Sequence, residues 1–436
     1  MTDSSVMSDF VEITSSKRVK RADYVAKGIP FYRSKEVIER AKGNRITTEL
    51  FISDEQYTEI EKKFGTPQFG DILLTSVGTL GVSWQVEGDE SFYFKDGNLT
   101  WFRNFSQRLD PTFLLYWLRS RTGQQELDRI SIGSTQRALT IAGLKSLPFS
   151  PPKLSDQKAI AHILGTLDDK IELNQKMNQT LEEIAKAIFK SWFVDFDPVR
   201  AKAEGRPTGL PPEISDLFPD ELVDSEIGEI PKGWEVTIVS GFGNVVCGKT
   251  PSTKDPDNFG GEFPFITIPD MRGNLISLST GRSVSERGAS ALKGKMLPAG
   301  SICVSCIATP GLVSITTRDS FTNQQINSIV PLNEGDREYL LFSMMTFGDL
   351  ISSAGSGGSV FANLSTGRFK ELPILQANEK IRDAFSKIVR PMLQRIELSQ
   401  EEISTLSQLR DTRLPKLISG ELRIPDAEKF LEEAGI

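Results

Sequence analysis

A chain of 436 residues exceeds what one hydrophobic core usually holds, which predicts two or three domains. A net charge of −7 excludes a uniformly basic protein, and three cysteines are too few for a disulfide framework, which favours a reducing cytoplasm. We find no apolar run of the roughly 18 residues that a membrane helix needs and no apolar signal segment in residues 1–30, so we expect a cytoplasmic protein without a membrane partner.

The first region, residues 1–152, opens with a basic segment and continues as short strands. Residues 16–45 contain ten lysine or arginine residues against three acids, a local charge of +7. This local potential suits contact with phosphate, although a solvated surface cluster is the simpler interpretation of the segment on its own. Runs of β-branched and aromatic residues at 71–77 and 92–94 predict strands, and residues 111–121 predict a helical patch.

Residues 153–193 predict a long helix that starts near Ser155. Its inward positions recur at spacings of three and four, the pattern by which one helix winds against another. The stripe consists of Leu164, Leu167, Ile171, Asn174, Asn178, Leu181, Ala185, Ile188 and Trp192. We interpret its two asparagines as buried residues that set the register of the pair, while the alternative is that both face water.

Residues 194–232 are acidic and rich in proline, which predicts an ordered or semi-rigid connector and no domain of its own. The second region, residues 233–376, begins with a literal match at 243–250 to the phosphate-loop pattern G-x-x-x-x-G-K-[ST]. That chemistry needs a helix directly after the loop, but Pro251 and Pro256 leave no room for one. We therefore disfavour nucleotide binding and expect a turn that leads into the second domain.

We find no credible active site in the sequence. His162 is the single histidine, so a histidine-based triad has little to build on. Cys303 and Cys306 form a C-x-x-C, but with only Cys247 elsewhere four soft ligands for zinc are missing, and we prefer a buried structural pair. Residues 168–170 carry the charges of a nuclease fragment, yet their place within a helix favours a solvated face. The sequence also lacks the loops that an adenine methyltransferase needs.

Residues 377–420 predict a second long helix, from Asn378 to a stop at Gly420, and residues 421–436 form a tail. Its stripe consists of Phe385, Ile388, Met392, Ile396, Ser399, Ile403, Leu406, Arg410, Arg413 and Leu417. We interpret the serine as a third register-setting residue. The two arginines fit the stripe less well and indicate either looser pairing or a place where another subunit docks.

The second half of the chain repeats the first at an offset of about 225–234 residues. Residues 171–175 return at 396–400, and Leu147-Pro148 returns as Leu372-Pro373. The matches keep the same order in both halves, and the period is far too long for a solenoid. They indicate a duplicated unit made of one domain and one helix.

The helices and the connector also carry a family resemblance. The sequences at 156–158, 167–174, 189–205, 228–234 and 409–422 resemble the central and distal conserved regions of the DNA-specificity subunits of type I restriction–modification enzymes. Residues 248–252 are similar to the start of a recognition domain in that family, which weakens the nucleotide interpretation further. The resemblance covers nearly the whole chain and is most specific in the helices and the connector.

The resemblance implies an α+β fold in which two globular α/β target-recognition domains are separated by two long antiparallel helices, a coiled coil, with an internal pseudo-twofold repeat. It implies a non-catalytic subunit that recognises a bipartite double-stranded DNA target. Two modification (methyltransferase) subunits would dock on it and, through them, restriction subunits. The chain itself would bind no cofactor, while S-adenosylmethionine and ATP with Mg²⁺ would serve the partner subunits. The alternatives are a coiled-coil adaptor that does not bind DNA and a phosphate-loop enzyme.

Candidate DNA contacts are basic and amide side chains, because arginine, asparagine and glutamine can bond base edges in pairs whereas lysine more often positions the protein on phosphate. In the first domain we select Lys17, Arg18, Lys20, Arg21 and Lys27 for phosphate and Arg33 and Lys35 for bases. A pair of matched loops adds Gln136, Arg137, Ser359 and Asn363. In the second domain we select Lys249, Thr250, Arg272, Gln324 and Gln325.

Overall fold

The computed structural model describes residues 5–43, 46, 48–88, 90–134, 137–353, 364–418 and 420–433. The chain divides into two compact units. Unit 1 consists of Met1–Leu173 and Ile403–Ile436, and unit 2 consists of Asn174–Glu402. Both boundaries fall inside long helices, so each of these helices contributes residues to both units.

Unit 1 begins with short strands and helices that precede the first long helix. The strands are β1 (Glu12–Thr14), β2 (Tyr24–Val25), β3 (Ile29–Tyr32), β4 (Phe51–Ile52), β5 (Ile72–Thr75), β6 (Ser83–Gln85), β7 (Tyr93–Phe94) and β8 (Leu99–Arg103). The helices are α1 (Ser34–Ala41), α2 (Asp54–Phe64), α3 (Pro111–Arg119), α4 (Arg121–Ile130) and α5 (Ile141–Lys145). The strands predicted at 71–77 and 92–94 and the helical patch at 111–121 are confirmed.

The strands of unit 1 form two four-stranded sheets. One has the order β1-β8-β5-β6 and is antiparallel throughout. The other has the order β2-β4-β3-β7, in which β3 and β7 run parallel. Strand β5 is buried at all four positions, as its unbroken Ile-Leu-Leu-Thr sequence predicts for a central strand covered on both faces.

Helix α3 illustrates how a local sequence signal positions the core of unit 1. The Asp110 carboxylate accepts a hydrogen bond from the N–H of Phe113 at 3.0 Å, and Pro111 occupies the first turn, where a backbone N–H is not required. Phe113, Leu114 and Leu118 are almost fully buried. They share one apolar core with the first turns of the long helix.

The first long helix, α6 (Leu154–Phe193), begins one residue before Ser155. The predicted capping role of Ser155 is therefore wrong, and its hydroxyl donates to the neighbouring Asp156 carboxylate. A buried glutamine anchors the helix start instead. The Gln157 amide accepts from the N–H of Asp110 at 2.9 Å and donates to the Pro152 carbonyl at 2.8 Å.

In unit 1 a second long helix, α14 (Glu379–Ile418), packs against α6. Leu167, Ile171 and Leu406 form a buried apolar cluster there, with Ile403 partly buried at its edge. A third helix, α15 (Ile424–Glu433), follows α14 and places Ala427 in the main core of the unit. These contacts agree with the predicted stripe at the positions named.

The carboxylate of Asp168, the residue after Leu167 on α6, connects α3 and α14 to α6 within unit 1. Asp168 accepts hydrogen bonds from the Tyr116 hydroxyl at 2.7 Å and from Arg410 Nη1 at 2.6 Å, and Arg119 Nη1 lies 3.6 Å away. We name these four residues the polar joint. Burial raises the pKa of Tyr116, and the negative charge of Asp168 raises it further.

The polar joint corrects two expectations. Asp168 does not belong to a solvated face, because its side chain is only 25% exposed and is surrounded by donors. Arg410 pairs with α6 and does not mark looser pairing of the helices. The stripe pattern could not reveal this, because the carboxylate and its guanidinium lie 242 residues apart in the chain.

Unit 2 contains the connector, a second set of strands and the remaining halves of the long helices. Its strands are β9 (Leu222–Ser225), β10 (Gly228–Pro231), β11 (Glu235–Ile238), β12 (Gly243–Cys247), β13 (Phe259–Ile266), β14 (Ile276–Ser277), β15 (Ser283–Val284), β16 (Ile302–Ser305), β17 (Val313–Thr316), β18 (Phe321–Thr322), β19 (Ile326–Pro331) and β20 (Pro373–Gln376). Its shorter helices are α7 (Asp197–Ala203), α8 (Pro212–Ser215), α9 (Val239–Phe242), α10 (Ile268–Met271), α11 (Glu286–Ala291), α12 (Arg337–Ser353) and α13 (Thr366–Lys370).

The sheets of unit 2 repeat the strand order of unit 1. A five-stranded sheet has the order β12-β19-β16-β17-β14, whose first four strands correspond to β1-β8-β5-β6. A three-stranded sheet has the order β15-β13-β18, and its parallel pair β13–β18 corresponds to β3–β7. The predicted duplication is therefore present in the topology.

The repeat also matches the backbone near Met7 to the backbone near Val239. In unit 2, β11 pairs with β20, and the N–H of Val239 donates to the Leu372 carbonyl. In unit 1, the N–H of Met7 donates to the Leu147 carbonyl in the same way. Met7 is therefore the counterpart of Val239 in the repeat, and the first half has no counterpart of the Gly233-Trp234 pair.

In unit 2 the long helices meet through polar and aromatic residues. The Ser399 hydroxyl donates to the Asn174 backbone carbonyl at 3.5 Å, and both side chains are buried. Farther along α6, the rings of Phe189 and Phe385 lie 5.7 Å apart. Between these two contacts the residue number rises along α6, from 174 to 189, and falls along α14, from 399 to 385. The burial of Asn174 and Ser399 agrees with a register-setting role, and Asn178 and Leu181 are half-buried.

One part of the predicted stripe on α14 is shifted. Val389 and Leu393 are buried, whereas Ile388 and Met392 are only partly buried at the edge of the same core. The wide aromatic cluster of unit 2 causes this difference, because it covers a broader face of α14 than a narrow helix seam would. Ile188 is likewise partly buried beside Phe189, which the stripe did not include.

The connector, residues 194–232, packs into the core of unit 2. Val199 and Phe218 are buried in its core, and Lys202 Nζ donates to the Phe218 carbonyl at 2.6 Å. Strands β9 and β10 form a hairpin within it. This is an ordered segment, as its prolines indicate.

Among the described residues, no helix is both long enough and apolar enough to cross a lipid bilayer.

Candidate nucleic-acid interface

Several loops meet at one end of the five-stranded sheet of unit 2. The N–H of Lys249 donates to the Thr322 carbonyl at 2.9 Å, and the N–H of Cys306 donates to the Gln325 carbonyl at 2.8 Å. Arg272 Nη2 lies 3.5 Å from the Thr309 hydroxyl. We name residues 248–250, 306–311 and 322–325, together with Arg272, the unit 2 loop cluster. It brings together all five candidate residues of the second domain.

Amide side chains are held in place within the unit 2 loop cluster. The Thr250 hydroxyl donates to Gln324 Oε1 at 2.8 Å. The Asn323 amide donates to Gln325 Oε1 at 3.0 Å and accepts from the N–H of Gln325 at 3.0 Å. Lys249 and Gln324 are exposed, and Gln325 is half-exposed. The cluster therefore presents groups that can bond base edges beside a cation that can bond phosphate.

The glycines of the phosphate-loop match have a packing explanation. A Cβ at Gly248 would lie 2.1 Å from the Asn323 carbonyl oxygen, and one at Gly243 would lie 2.4 Å from the Ile329 side chain. Strand β12 is followed by a loop and a three-residue 3₁₀ turn at Pro256–Asn258. Within the described stretch 248–258 no α-helix offers its N-terminus to a phosphate.

The basic segment of unit 1 lies beside strand β7. Lys17 donates its backbone N–H to the Tyr93 hydroxyl at 2.7 Å, and its ammonium group lies 4.9 Å from the centre of the Phe64 ring. The side chains of all five residues proposed for phosphate are exposed: Lys17, Arg18, Lys20, Arg21 and Lys27. Their exposure makes these cations accessible to DNA phosphate.

Arg33 and Lys35 differ sharply in their surroundings. Lys35 is exposed. Arg33 Nη2 donates to Glu36 Oε1 at 2.8 Å, and its backbone N–H donates to Glu36 Oε2 at 2.8 Å. Glu36 has a side chain that is 1% exposed. A contact between Arg33 and a DNA base would therefore have to compete with the ion pair between Arg33 and the buried Glu36.

Arg33→Gln is expected to destabilise unit 1 by about 2 kcal/mol, because Glu36 would stay buried and lose its cation. Burial raises the pKa of Glu36, but the hydrogen bonds from Arg33 outweigh it and leave that pKa below its usual value. The ion pair therefore stabilises the fold above the unfolded pKa of about 4.3 and loses this effect as the pH falls. Urea unfolding should show the largest difference from the unmodified protein near neutral pH.

Lys35→Gln is the matched control, since it removes an exposed cation in the first turn of α1, two residues after Arg33, which is the N-cap of that helix. Its expected effect is within about 0.5 kcal/mol at every pH. Equal stability of the two variants at neutral pH would contradict the structural role of Arg33.

The remaining candidates of the matched loops are only partly described. Arg137 Nη2 donates to the Asp128 carboxylate at 2.9 Å and to the Ser131 hydroxyl at 2.6 Å, which ties it to the end of α4. Gln136, Ser359 and Asn363 lie outside the described residues.

The cysteines behave as structural residues. Cys303 and Cys306 are both buried, and neither is in a disulfide. Burial raises the pKa of Cys303 to about 12, and the Ser328 hydroxyl donates to its sulfur at 3.5 Å. The thiol is thus protonated at neutral pH and is a poor nucleophile.

Comparison with known proteins identifies close similarities. A family model described as "Type I restriction modification DNA specificity domain" matches residues 4–183 and again residues 231–406. The chain is 37% identical to the "Type I restriction enzyme HindI specificity subunit" of Haemophilus influenzae over 72% of this chain and 77% of the relative. It is 25% identical to the "Type I restriction enzyme MjaIX specificity subunit" of Methanocaldococcus jannaschii over 95% of this chain and 90% of the relative.

A solved structure shares the fold. The crystal structure of the S subunit of a type I restriction–modification system from M. genitalium aligns with a TM-score of 0.60 and 15% sequence identity. The alignment covers 95% of each chain. The two family matches each span one globular region and most of one long helix, which is the repeat seen in the topology.

Proposed function

This chain belongs to the family of type I restriction–modification DNA specificity subunits, and from this membership we propose that each of its units reads one half of a bipartite double-stranded DNA target. The duplicated domain is the observation that carries the proposal, because two copies of one reader require two stretches of sequence to read. Membership in this family disfavours an adaptor that does not bind DNA.

We further propose that α6 and α14 form an antiparallel coiled coil that serves as a spacer. Each helix has 40 residues, which corresponds to about 60 Å at ~1.5 Å per residue. The contacts within unit 2, where Asn174 meets Ser399 and Phe189 meets Phe385, support the antiparallel direction.

The same proposal extends to the partners. A repeated chain offers two similar docking surfaces, which suits two modification (methyltransferase) subunits and, through them, restriction subunits. S-adenosylmethionine and ATP with Mg²⁺ would be bound by those partners, and this chain would be non-catalytic. Its sequence supports this division, because it lacks the Asp/Asn-Pro-Pro-aromatic loop of adenine methyltransferases.

Exchange of residues 1–152 for the matching region of a relative is expected to change only one half of the methylated sequence. The reason is that each unit carries its own loops and its own core, so one reader can be replaced without altering the other. The measurement is a map of methylated bases in cells that produce the chimaera together with its modification subunits. The reciprocal exchange of residues 233–376 is the control and should change the other half. A chimaera that is folded and active but changes both halves, or neither, would contradict the proposal.

A further inference from the structure

We propose that residues 76–81 and 95–98, with Lys17 beside them, form the surface of unit 1 that reads bases. This set, which we name the unit 1 loop cluster, includes Lys95 and Asn98, which were absent from the residues selected by sequence. The inference rests on the proposed function and specifies where unit 1 carries it out.

Four backbone hydrogen bonds of the unit 1 loop cluster have counterparts in the unit 2 loop cluster. In unit 1 the bonds are Ser76 N–H to Asn98 O at 2.8 Å, Leu139 N–H to Ser76 O at 2.9 Å, Gly81 N–H to Thr75 O at 2.9 Å and Lys95 N–H to Tyr32 O at 2.9 Å. In unit 2 they are Cys306 N–H to Gln325 O at 2.8 Å, Leu364 N–H to Cys306 O at 3.1 Å, Gly311 N–H to Ser305 O at 2.9 Å and Asn323 N–H to Ile266 O at 3.3 Å. Residues 95–98 therefore stand where 323–325 stand in unit 2.

A side-chain hydrogen bond shapes the adjoining hairpin in both units. The Thr75 hydroxyl accepts from the N–H of Val82 at 3.0 Å, and the Ser305 hydroxyl accepts from the N–H of Leu312 at 2.9 Å. The hairpin tips consequently place Thr79 and Thr309 at corresponding positions. The two clusters share one frame.

The side chains on this frame differ between the units. The loop between β7 and β8 reads Lys-Asp-Gly-Asn, and the loop between β18 and β19 reads Asn-Gln-Gln. Asparagine and glutamine can bond adenine in pairs, aspartate can accept from the amino group of cytosine, and lysine can bond guanine or phosphate. Two domains that recognise different half-sites are expected to share a backbone arrangement and to differ in the polar side chains on it.

Exposure and charge agree with this assignment. Lys95 is exposed, and Asp96 and Asn98 are half-exposed around a turn at Gly97, where φ is +76°. Lys17, whose N–H bonds the Tyr93 hydroxyl, places the start of the basic segment next to this loop. Arg18 and Lys20 follow it along the chain, where cations can hold the DNA backbone while the loop reads base edges.

The test compares Lys95→Ala and Asn98→Ala with Gln324→Ala, each in the full chain assembled with its modification subunits. Methylation of a library of DNA targets is measured for each complex. Asn98→Ala and Lys95→Ala should relax base preference about tenfold or more in the half-site assigned to unit 1, and Gln324→Ala should do so in the other half-site.

Gln68→Ala is the control, because Gln68 is an exposed amide that precedes β5 and so lies at the opposite end of the sheet. It should leave both half-sites unchanged. If folded Lys95→Ala and Asn98→Ala complexes keep full preference while exchange of residues 1–152 still changes one half, the inference is overturned and the proposed function stands. If that exchange also changes nothing, the proposed function fails.

Discussion

Arg382→Ala is expected to lower the free energy of unfolding of unit 2 by about 3–5 kcal/mol. Arg382 Nε donates to Asp336 Oδ1 at 2.6 Å, and both side chains are only 8% exposed. Arg382 also donates to the Ala377 carbonyl and lies over the Phe242 ring at 5.2 Å. Removing the guanidinium leaves a buried carboxylate without its cation. Urea unfolding followed by tryptophan fluorescence is the measurement, since Trp234 belongs to the same core.

Arg287→Ala provides a matched control within the same unit. Arg287 Nη2 also lies 2.6 Å from an aspartate, Asp255, but its side chain is 64% exposed. Solvent screens this ion pair, so the expected loss is less than about 1 kcal/mol. If Arg382→Ala cost no more than this control, the buried pair would not have the structural importance that we assign to it.

Phe385→Ala is expected to cost about 3–5 kcal/mol, because it removes a fully buried ring from the contact between α6 and α14. The ring of Phe385 packs against Phe189 at 5.7 Å, Phe193 at 5.3 Å and Phe342 at 5.9 Å. Thermal and urea unfolding measure the loss. In the assembled complex, the same variant should also weaken DNA binding, since the proposed spacer depends on this contact.

Leu398→Ala serves as the control for Phe385→Ala. Leu398 is on the same helix but is 57% exposed, so its truncation should change stability by no more than about 0.5 kcal/mol. A small effect of Phe385→Ala together with a large effect of Leu398→Ala would mean that the opposite face of α14 carries the packing.

The long helices and the duplication were accessible from sequence because both are periodic signals. The spacing of Leu167, Ile171 and Leu406 reports which face is buried wherever the contact is a narrow seam, and these residues form a buried cluster. The same spacing failed at Met392, where a broad aromatic core replaces the seam and Leu393 is buried instead. Periodicity describes one helix and contains no information on the width of the surface that covers it.

Contacts between distant residues could not be predicted in the same way. The polar joint depends on Asp168 and Arg410, and the anchor at Gln157 depends on Asp110, so each requires the fold to bring its members together. From sequence alone, a carboxylate on a helix is predicted to face solvent, because most aspartate and glutamate side chains are exposed. Only the tertiary structure reveals a donor opposite the carboxylate.

The residues selected by sequence in the second domain lie together in the unit 2 loop cluster, whereas the selection for the first domain did not include Lys95 and Asn98 of the proposed unit 1 loop cluster. Selection by residue type found Gln324 and Gln325, which are adjacent amides. In unit 1 the single amide Asn98 is separated from Lys95 by an aspartate and a glycine, so residue type alone does not mark this loop. Its correspondence to residues 323–325 became visible only through the backbone hydrogen bonds, because the loop is one residue longer than its counterpart.

The division of the chain has a consequence for its synthesis on the ribosome. Unit 2 is one continuous stretch, so every residue that it needs has been translated before Ile403 is added. Unit 1 draws Leu417 and Ala427 into its buried core, so its earlier part must wait with that apolar surface uncovered. The part of unit 1 that precedes unit 2 can therefore complete its core only after all of unit 2 has been translated, in contrast to the usual case in which domains fold in the order of their synthesis.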